Sequence, residues 1–194
     1  MNYLSNRNKI ILASASPRRK QLLQEANIEF DVIPSNAEEI SNLPPLQLVS
    51  ENARIKAESV AKQNENRLVL GSDTIVALDN IVYGKPRDLI EATQMLTQLQ
   101  GKTHSVFTAV CLAKSVDGKM KSVCDVQKSD VKFKTLSAEE IQQYLKCVNV
   151  LDKAGAYAAQ ECGEMIIEKI DGDFDNVMGL PMRLVKNMLD TTNF

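Results

Sequence analysis

Apolar residues recur along the chain at spacings that switch between those of strands and those of helices. Ile10–Leu12 is apolar throughout, which is typical of a strand covered on both faces. Residues 17–26 place apolar side chains on one helical face, residues 28–34 alternate as a strand, and residues 46–64 repeat apolar positions at helical spacing. This succession of strand, helix, strand and helix predicts an α/β protein.

Strand spacing dominates after residue 67. Residues 68–70 and 75–78 are apolar runs, and we expect the Gly-Ser-Asp-Thr sequence at 71–74 to interrupt them. Asp79-Asn80 predicts a hairpin turn before a strand at residues 81–83. Alternation and helix-end residues predict further strands at 103–114 and 121–133, and helices at 88–100, at 137–147 and after Pro181. Hairpins beside strand-helix units predict a mixed sheet with flanking helices.

Composition restricts the class of protein without naming a function. The 194 residues are enough for one domain, which we expect to span residues 1–194, and 44% of them are hydrophobic, as in ordinary globular proteins. The net charge of -2 argues against a general nucleic acid coat, which needs a basic face. No apolar run approaches the ~20 residues of a membrane span, and the N-terminal MNYLSNRNK lacks the apolar core of a signal peptide. We therefore expect a cytoplasmic protein.

The four cysteines carry no spacing that indicates a metal site. Cys111, Cys124, Cys147 and Cys162 are 13, 23 and 15 residues apart, and no C-x-x-C pair occurs. Neither a zinc site nor a disulfide framework is predicted. We expect reduced thiols.

The stretch from Lys9 to Leu23 predicts a strand, a tight turn and a helix. Ser16 is a good N-cap and Pro17 suits the first helical position. Arg18 and Arg19 then oppose the positive end of the helix dipole, at a cost of a few tenths to about 1 kcal/mol. Free amides, hydroxyls and two guanidiniums at one place favour a phosphate site. The alternative is a solvated first turn whose arginines pair with a nearby glutamate.

Charged residues elsewhere suggest partners for such a site. Asp73 lies between apolar runs, so it must be paired, hydrogen-bonded or metal-bound unless it is a turn residue between separate strands. Lys56 falls close to the buried stripe of its helix, and it either points inward or extends its ammonium to water. Lys85 follows a strand, and the Glu38-Glu39 pair is either functional or a solvated loop. The single histidine, His104, is interpreted as structural.

Six motifs carry a family resemblance over essentially the whole chain. They are SASPRR at 14–19, GSDT at 71–74, GKP at 84–86, GKTHSVFTAV at 101–110, DKAGAYAAQ at 152–160 and GLP at 179–181. Together and in this order they resemble the Maf family of nucleoside triphosphate pyrophosphatases. The resemblance implies two lobes around a central cleft, similar to inosine triphosphate pyrophosphatases. It also implies cleavage between the α and β phosphates with a divalent cation, Mg²⁺ or Mn²⁺.

The family has a dTTP/UTP branch and a 7-methyl-GTP branch. The positions that distinguish them correspond to Arg18, Thr74 and Gln160, and their motifs resemble the dTTP/UTP branch; the other branch typically has Trp at the position of Arg18. The chain departs from the family at Ala158-Ala159, where Gly-Ile is frequent, and at Glu38-Glu39, where Asp-Glu is usual. The second departure leaves open which glutamate binds metal.

Triphosphate hydrolysis needs cations around the phosphates, a water held in line and a base. The resulting hypothesis assigns catalysis to Asp73, Lys56, Lys85 and Arg19, substrate binding to Ser14, Ser16, Arg18, Thr74 and Gln160, and metal binding to Glu39 and Asp73. Asp73 is the candidate base, and the cations are expected to contact phosphate rather than the core. No Ser-His-Asp or Cys-His arrangement favours a covalent intermediate, so we expect direct attack by water.

The expected partner is a nucleoside triphosphate substrate, with no nucleic acid polymer and no membrane. A homodimer is one oligomeric state that the sequence leaves open. Two alternative functions also stay open: a 7-methyl-GTP pyrophosphatase of the same family, and a nucleotide-binding regulator of cell division without significant turnover. A binding module needs the cations but has no evident need for Asp73 beside them.

Overall fold

The computed structural model describes residues 9–194, in which seven strands form one mixed sheet flanked by six helices. The first six elements are β1 (Ile10–Leu12), α1 (Pro17–Glu25), β2 (Phe30–Val32), α2 (Pro45–Ala61), β3 (Val69–Leu78) and β4 (Ile81–Tyr83). They are followed by α3 (Leu89–Leu99), β5 (Thr103–Val116), β6 (Lys119–Phe133), α4 (Ala138–Cys147), β7 (Ile167–Asp171), α5 (Phe174–Met178) and α6 (Met182–Thr191). Short 3-10 turns lie at Ala154–Ala156 and Gly163–Met165.

The predicted mixed sheet is confirmed. The strand order is β2-β1-β3-β5-β6-β7, with β4 paired to β3. β1 runs parallel to both β2 and β3, and the remaining pairs are antiparallel. Several predicted helix ends are also confirmed: Ser137 and Glu140 form a reciprocal capping box, and the Asp88 side chain accepts a hydrogen bond from the Glu91 amide. β7 and α5 were not predicted.

β3 runs unbroken through the sequence that was expected to interrupt it. Its pairing with β5 extends from Val69 opposite Ala113 to Ala77 opposite Ser105. The polar residues at 71–74 are therefore strand residues, and the prediction of an interruption is wrong. The reason is that their side chains find partners across the fold, as Thr74 does in its 3.0 Å hydrogen bond with Thr108.

Apolar side chains pack on both faces of the sheet. On one face, α2 packs against β3 and β5 through a cluster that includes Val49, Ala53 and Ala57. On the other face, α1 and α6 cover the sheet with Leu23 and Val185 among the buried residues. In a third cluster, α3 and α4 pack with the C-terminal ends of β3 and β6 and the N-terminal part of β5.

A disulfide joins Cys111 on β5 to Cys124 on β6. The two residues are directly opposite in the antiparallel register, and their Cα atoms are 4.1 Å apart. The expectation of reduced thiols throughout is therefore wrong for this pair, because strand register, and not sequence spacing, brings the two thiols together. Cys147 and Cys162 are free.

No helix within residues 9–194 has the length and apolar character needed to cross a membrane. The prediction that the N-terminal MNYLSNRNK is not a signal peptide concerns mostly residues 1–8, which lie outside the described residues.

Candidate active site

The turn between β1 and α1 has the predicted form. The Ser16 hydroxyl accepts a hydrogen bond from the Arg19 amide at 3.5 Å, and Pro17 occupies the first helical position. Two residues before Ser16, the Ser14 hydroxyl accepts a hydrogen bond from the Ser16 amide at 3.2 Å. The two serines therefore fix the backbone at the helix N-terminus, where unpaired amides can meet an anion.

Arg19 links this turn to two other segments. Its Nε donates to the Gly179 carbonyl at 2.8 Å, and its Nη1 donates to the Ser72 carbonyl at 2.9 Å and to the Ser14 hydroxyl at 3.2 Å. Its Nη2 donates to the Thr74 hydroxyl at 3.1 Å. Four of its five N–H hydrogens are thereby used, one from Nε, two from Nη1 and one from Nη2. Burial lowers the pKa of Arg19, and the charge of Asp73 partly opposes that shift.

Lys56 points inward from α2 and binds two carboxylates. Its Nζ lies 2.6 Å from Asp73 Oδ1 and 2.8 Å from Glu39 Oε1. The side chains of Lys56 and Asp73 are only 14% and 10% exposed, whereas Glu39 is 54% exposed. The ammonium therefore pairs with the nearly buried carboxylate of Asp73. Without such a partner, burying this charge would be very costly.

Close packing of α2 on β3 makes this contact reachable. A Cβ atom added to Gly71 would lie 2.6 Å from the Ala53 carbonyl oxygen and 2.8 Å from the Ala57 Cβ. Gly71 and Asp73 share one face of β3 because strand side chains alternate. Small residues at this crossing thus bring Lys56 within hydrogen-bond distance of Asp73.

Of the two neighbouring glutamates, Glu39 faces the site. Partial burial raises the pKa of Glu39, but the hydrogen bond from Lys56 and the charges of Lys85 and Arg19 outweigh it, so the pKa falls below its ordinary value. Glu38 is exposed and forms no ion pair within the part of the chain that the structure describes. Lys85 is exposed on the loop after β4 and acts on Glu39 through its charge.

The loop at 152–161 contacts α1 through Arg18. Asp152 Oδ2 accepts a hydrogen bond from Arg18 Nη1 at 3.2 Å, and the next residue, Lys153, is buried. Gln160 Nε2 donates to Glu161 Oε1 at 3.1 Å. Within this segment the sequence predicted a role for Gln160, whereas the charged pairs of Asp152 and Lys153 were not predicted.

All the predicted site residues line one cleft of about 790 Å³. They are Ser14, Ser16, Arg18, Arg19, Glu39, Lys56, Asp73, Thr74, Lys85 and Gln160. Cations and serine hydroxyls therefore face the same space as the Asp73 and Glu39 carboxylates. This combination suits a polyanionic ligand accompanied by a hard cation.

Within residues 9–194, no group of three or more His, Cys, Asp and Glu side chains converges to form a cation site. Two carboxylates, Glu39 and Asp73, meet at the Lys56 ammonium. Mg²⁺ is commonly bound by one or two carboxylates together with substrate phosphates and water. The carboxylate pair fits a cation that binds with the nucleotide rather than in an all-protein cage.

His104 is buried away from the cleft lining, as its structural interpretation predicts. Its Nε2 forms a 2.9 Å hydrogen bond with the Tyr157 hydroxyl, and its ring packs edge-on against Phe133 at a centroid distance of 4.7 Å. Burial lowers the pKa of His104 to about 4. The imidazole is therefore neutral at pH 7 and anchors the strand next to the cleft.

Comparison with known proteins gives a consistent family match. A protein-family model described as Maf-like protein matches residues 9–192. The chain is 43% identical over 183 residues to a dTTP/UTP pyrophosphatase of Akkermansia muciniphila, covering 93% of this chain and 95% of the relative. It is 43% identical over 182 residues to one from Clostridioides difficile, covering 93% of each chain. For a dTTP/UTP pyrophosphatase of Thermosipho africanus the identity is 44%, over 93% of this chain and 92% of the relative.

Proposed function

Because the chain belongs to the Maf family, we propose that it hydrolyses dTTP and UTP to the nucleoside monophosphate and pyrophosphate. The observation that carries the proposal is the convergence of serines, cations and two carboxylates in one and the same cleft. The names of the relatives, dTTP/UTP pyrophosphatase, support the choice of substrate. The site acts in the cytoplasm on free nucleotides, with no nucleic acid polymer or membrane as partner.

In the proposed reaction, a water attacks the α-phosphorus while the bond to the α–β bridging oxygen breaks. Asp73 is the base: its Oδ1 is held by Lys56 at 2.6 Å, so Oδ2 is the oxygen available to orient the water and take its proton. The leaving pyrophosphate departs with the electrons of the broken bond. Lys56 fixes the orientation of the base and compensates its charge.

Cationic side chains of the cleft are proposed to stabilise the negative charge that develops on the phosphate oxygens during the reaction. Lys85 is free to reach a phosphate because it is exposed and makes no hydrogen bond to another residue among those described. Arg19 has one remaining N–H for such a contact. The α1 N-terminus with Ser14 and Ser16 supplies neutral donors.

Glu39 and Asp73 are the residues that would hold a divalent cation, Mg²⁺ or Mn²⁺, together with the substrate phosphates. When bound, such a cation polarises phosphoryl oxygens and lowers the charge that the protein must neutralise. Glu39 is favoured over Glu38 because it shares the Lys56 ammonium with Asp73.

Recognition of the base is assigned to Arg18, Thr74 and Gln160. The edge of uracil or thymine offers an acceptor, a donor and an acceptor, and the planar amide of Gln160 can pair with it. A site built on hydrogen bonds discriminates against a mismatched edge more strongly than against an added methyl group. We therefore expect dTTP and UTP to be hydrolysed, CTP more slowly and 7-methyl-GTP much more slowly.

The test is pyrophosphate release measured with dTTP, UTP, CTP and 7-methyl-GTP at a saturating divalent cation. The proposal expects turnover of dTTP and UTP to exceed that of the other two. Preference for 7-methyl-GTP would place the protein in the other branch. Tight nucleotide binding without pyrophosphate release would instead favour a binding regulator.

A further inference from the structure

Lys153 is a buried lysine at the edge of the cleft to which the proposed reaction gives no role. Only 6% of its side chain is exposed. Its Nζ donates to the Asn149 carbonyl and to Asp152 Oδ1, at 2.9 Å for the carboxylate, and lies 3.6 Å from Glu161 Oε1. A buried ammonium is costly unless it is paired, so this group holds two carboxylates in defined places.

Each of those carboxylates holds a second side chain that lines the cleft. Asp152 uses Oδ1 for Lys153 and Oδ2 for Arg18, at 3.2 Å. Glu161 Oε1 receives both the Lys153 ammonium and the Gln160 Nε2 group. Lys153 is therefore linked through one carboxylate each to Arg18 and Gln160, two of the three residues to which base recognition is assigned.

The contact with Glu161 determines which end of the Gln160 amide can form a hydrogen bond with a ligand in the cleft. An ionised carboxylate only accepts hydrogen bonds, so the amide group that faces Glu161 must be the NH₂. The planar amide then leaves its carbonyl oxygen for a ligand in the cleft, which Gln160 lines. A carbonyl oxygen can accept the N3–H of uracil or thymine. Cytosine carries no hydrogen on N3, and two acceptors facing each other leave both unpaired.

We propose that Lys153 is a positioning residue that acts through Asp152 and Glu161, and that Glu161 selects uracil and thymine over cytosine by orienting the Gln160 amide. The selection rests on the proposed function, because it requires pyrimidine triphosphates in this cleft. In this role Lys153 acts through the two carboxylates that hold Arg18 and Gln160, and not on the substrate itself.

The decisive variant is Glu161→Gln, which keeps the size of the side chain but can face either end of the Gln160 amide. We expect the ratio of kcat/KM for UTP to that for CTP to fall about fivefold to tenfold, as the loss of one oriented hydrogen bond allows. The thermal melting curve should stay close to that of the wild type, because Glu161 is 44% exposed and Lys153 keeps its contacts with Asp152 and the Asn149 carbonyl. Glu164→Gln is the matched control: Glu164 is exposed in the 3-10 turn that follows the loop, and its backbone carbonyl, not its side chain, accepts the hydrogen bond from Lys134.

Lys153→Met is the second variant, measured by melting curve and by the same ratio. We expect a smaller UTP to CTP ratio together with a higher KM for UTP, because Arg18 also loses its fixed partner. If this variant does not fold, the Glu161→Gln ratio decides the question alone.

The outcomes separate the two proposals. A wild type that prefers UTP, with an unchanged ratio in Glu161→Gln, overturns the positioning role and leaves the pyrophosphatase function intact. Equal hydrolysis of UTP and CTP by the wild type also overturns it. Absence of turnover with dTTP and UTP refutes the proposed function, and the selectivity role with it.

Discussion

Replacing Gly71 by alanine tests whether the close approach of α2 to β3 sets the geometry of the catalytic carboxylate. The added Cβ would lie 2.6 Å from the Ala53 carbonyl oxygen, 2.7 Å from the Ala57 amide nitrogen and 2.8 Å from the Ala57 Cβ. All three are helix atoms that cannot turn aside. Because carbon atoms in contact prefer about 3.5 to 4.0 Å, α2 must move away from β3 by about 0.7 to 1.2 Å.

That displacement has two measurable consequences. Overpacking of this kind costs about 1 to 3 kcal/mol, which for a protein of this size lowers Tm by about 2 to 12 °C. Lys56 moves with α2, so its 2.6 Å contact with Asp73 lengthens beyond the usual hydrogen-bond range. A misplacement of about 1 Å in a catalytic group can reduce turnover on the order of 10²-fold.

The assay is pyrophosphate release from UTP below the Tm of the variant, with thermal melting measured in parallel. Gly163→Ala is the control, since its new Cβ would lie no closer than 3.5 Å to Ile167 Cδ1, and we expect wild-type activity and stability from it. A Gly71→Ala protein with both wild-type Tm and wild-type turnover would refute the reasoning, because α2 would then have absorbed the methyl group without moving Lys56.

Two further predictions concern Arg19, Lys85 and His104. Arg19→Ala removes four hydrogen bonds that join three segments, so we expect it to lower both turnover and the free energy of unfolding, the latter by about 2 to 3 kcal/mol. Lys85→Ala should also lower turnover, but it should lower the free energy of unfolding by less than about 0.5 kcal/mol. Equal melting curves for the two variants would contradict the bracing role of Arg19. Because the pKa of His104 falls from 6.5 to about 4 on folding, the unfolded chain binds a proton first as pH falls, and the wild type should lose up to ~3 kcal/mol between about pH 6.5 and 4. Denaturant titrations of His104→Gln should lack most of this loss; a parallel pH profile in wild type and variant would show that another group is responsible.

Local patterns predicted most of the fold because many element boundaries are set by nearby residues. Ser16 and Ser137 bond to amides three residues away, so their capping roles follow from short sequences. The path of β3 did not follow in this way, since Thr74 is held by Thr108 and Arg19, which are distant along the chain. Propensity alone favoured a break at residues 71–74, and tertiary contacts outweighed it.

Part of the candidate site was likewise predictable from the sequence, and part was not. Residue chemistry indicated a phosphate site at Arg18 and Arg19 and a partnered Asp73, while the placement of Gln160 with them was expected only from the family resemblance. The bracing role of Arg19 was not predictable, because two of its acceptors are backbone carbonyls of Ser72 and Gly179, and carbonyls carry no sequence signal. The expectation that this side chain contacts phosphate rather than the core therefore covers only part of what it does.

Burial of Lys153 and the disulfide between Cys111 and Cys124 were hidden for a related reason. Lys153 lies in a run of small residues whose path is irregular, so no periodicity assigns its side chain to the interior. The two cysteines meet because the β5–β6 register places them opposite each other, and a shift of one residue would separate them.

In the proposed reaction, Asp73 activates the water that attacks the substrate and releases pyrophosphate. The direct measurement compares steady-state pyrophosphate release from UTP by wild type, Asp73→Asn and the control Asp79→Asn, an identical change in the exposed hairpin at the end of the same strand. General-base assistance is worth about 10² to 10⁴ in rate, so kcat for Asp73→Asn should fall by at least about 10²-fold while Tm and UTP binding are retained and the control stays near wild type. Near-normal kcat in a folded Asp73→Asn protein would contradict the account.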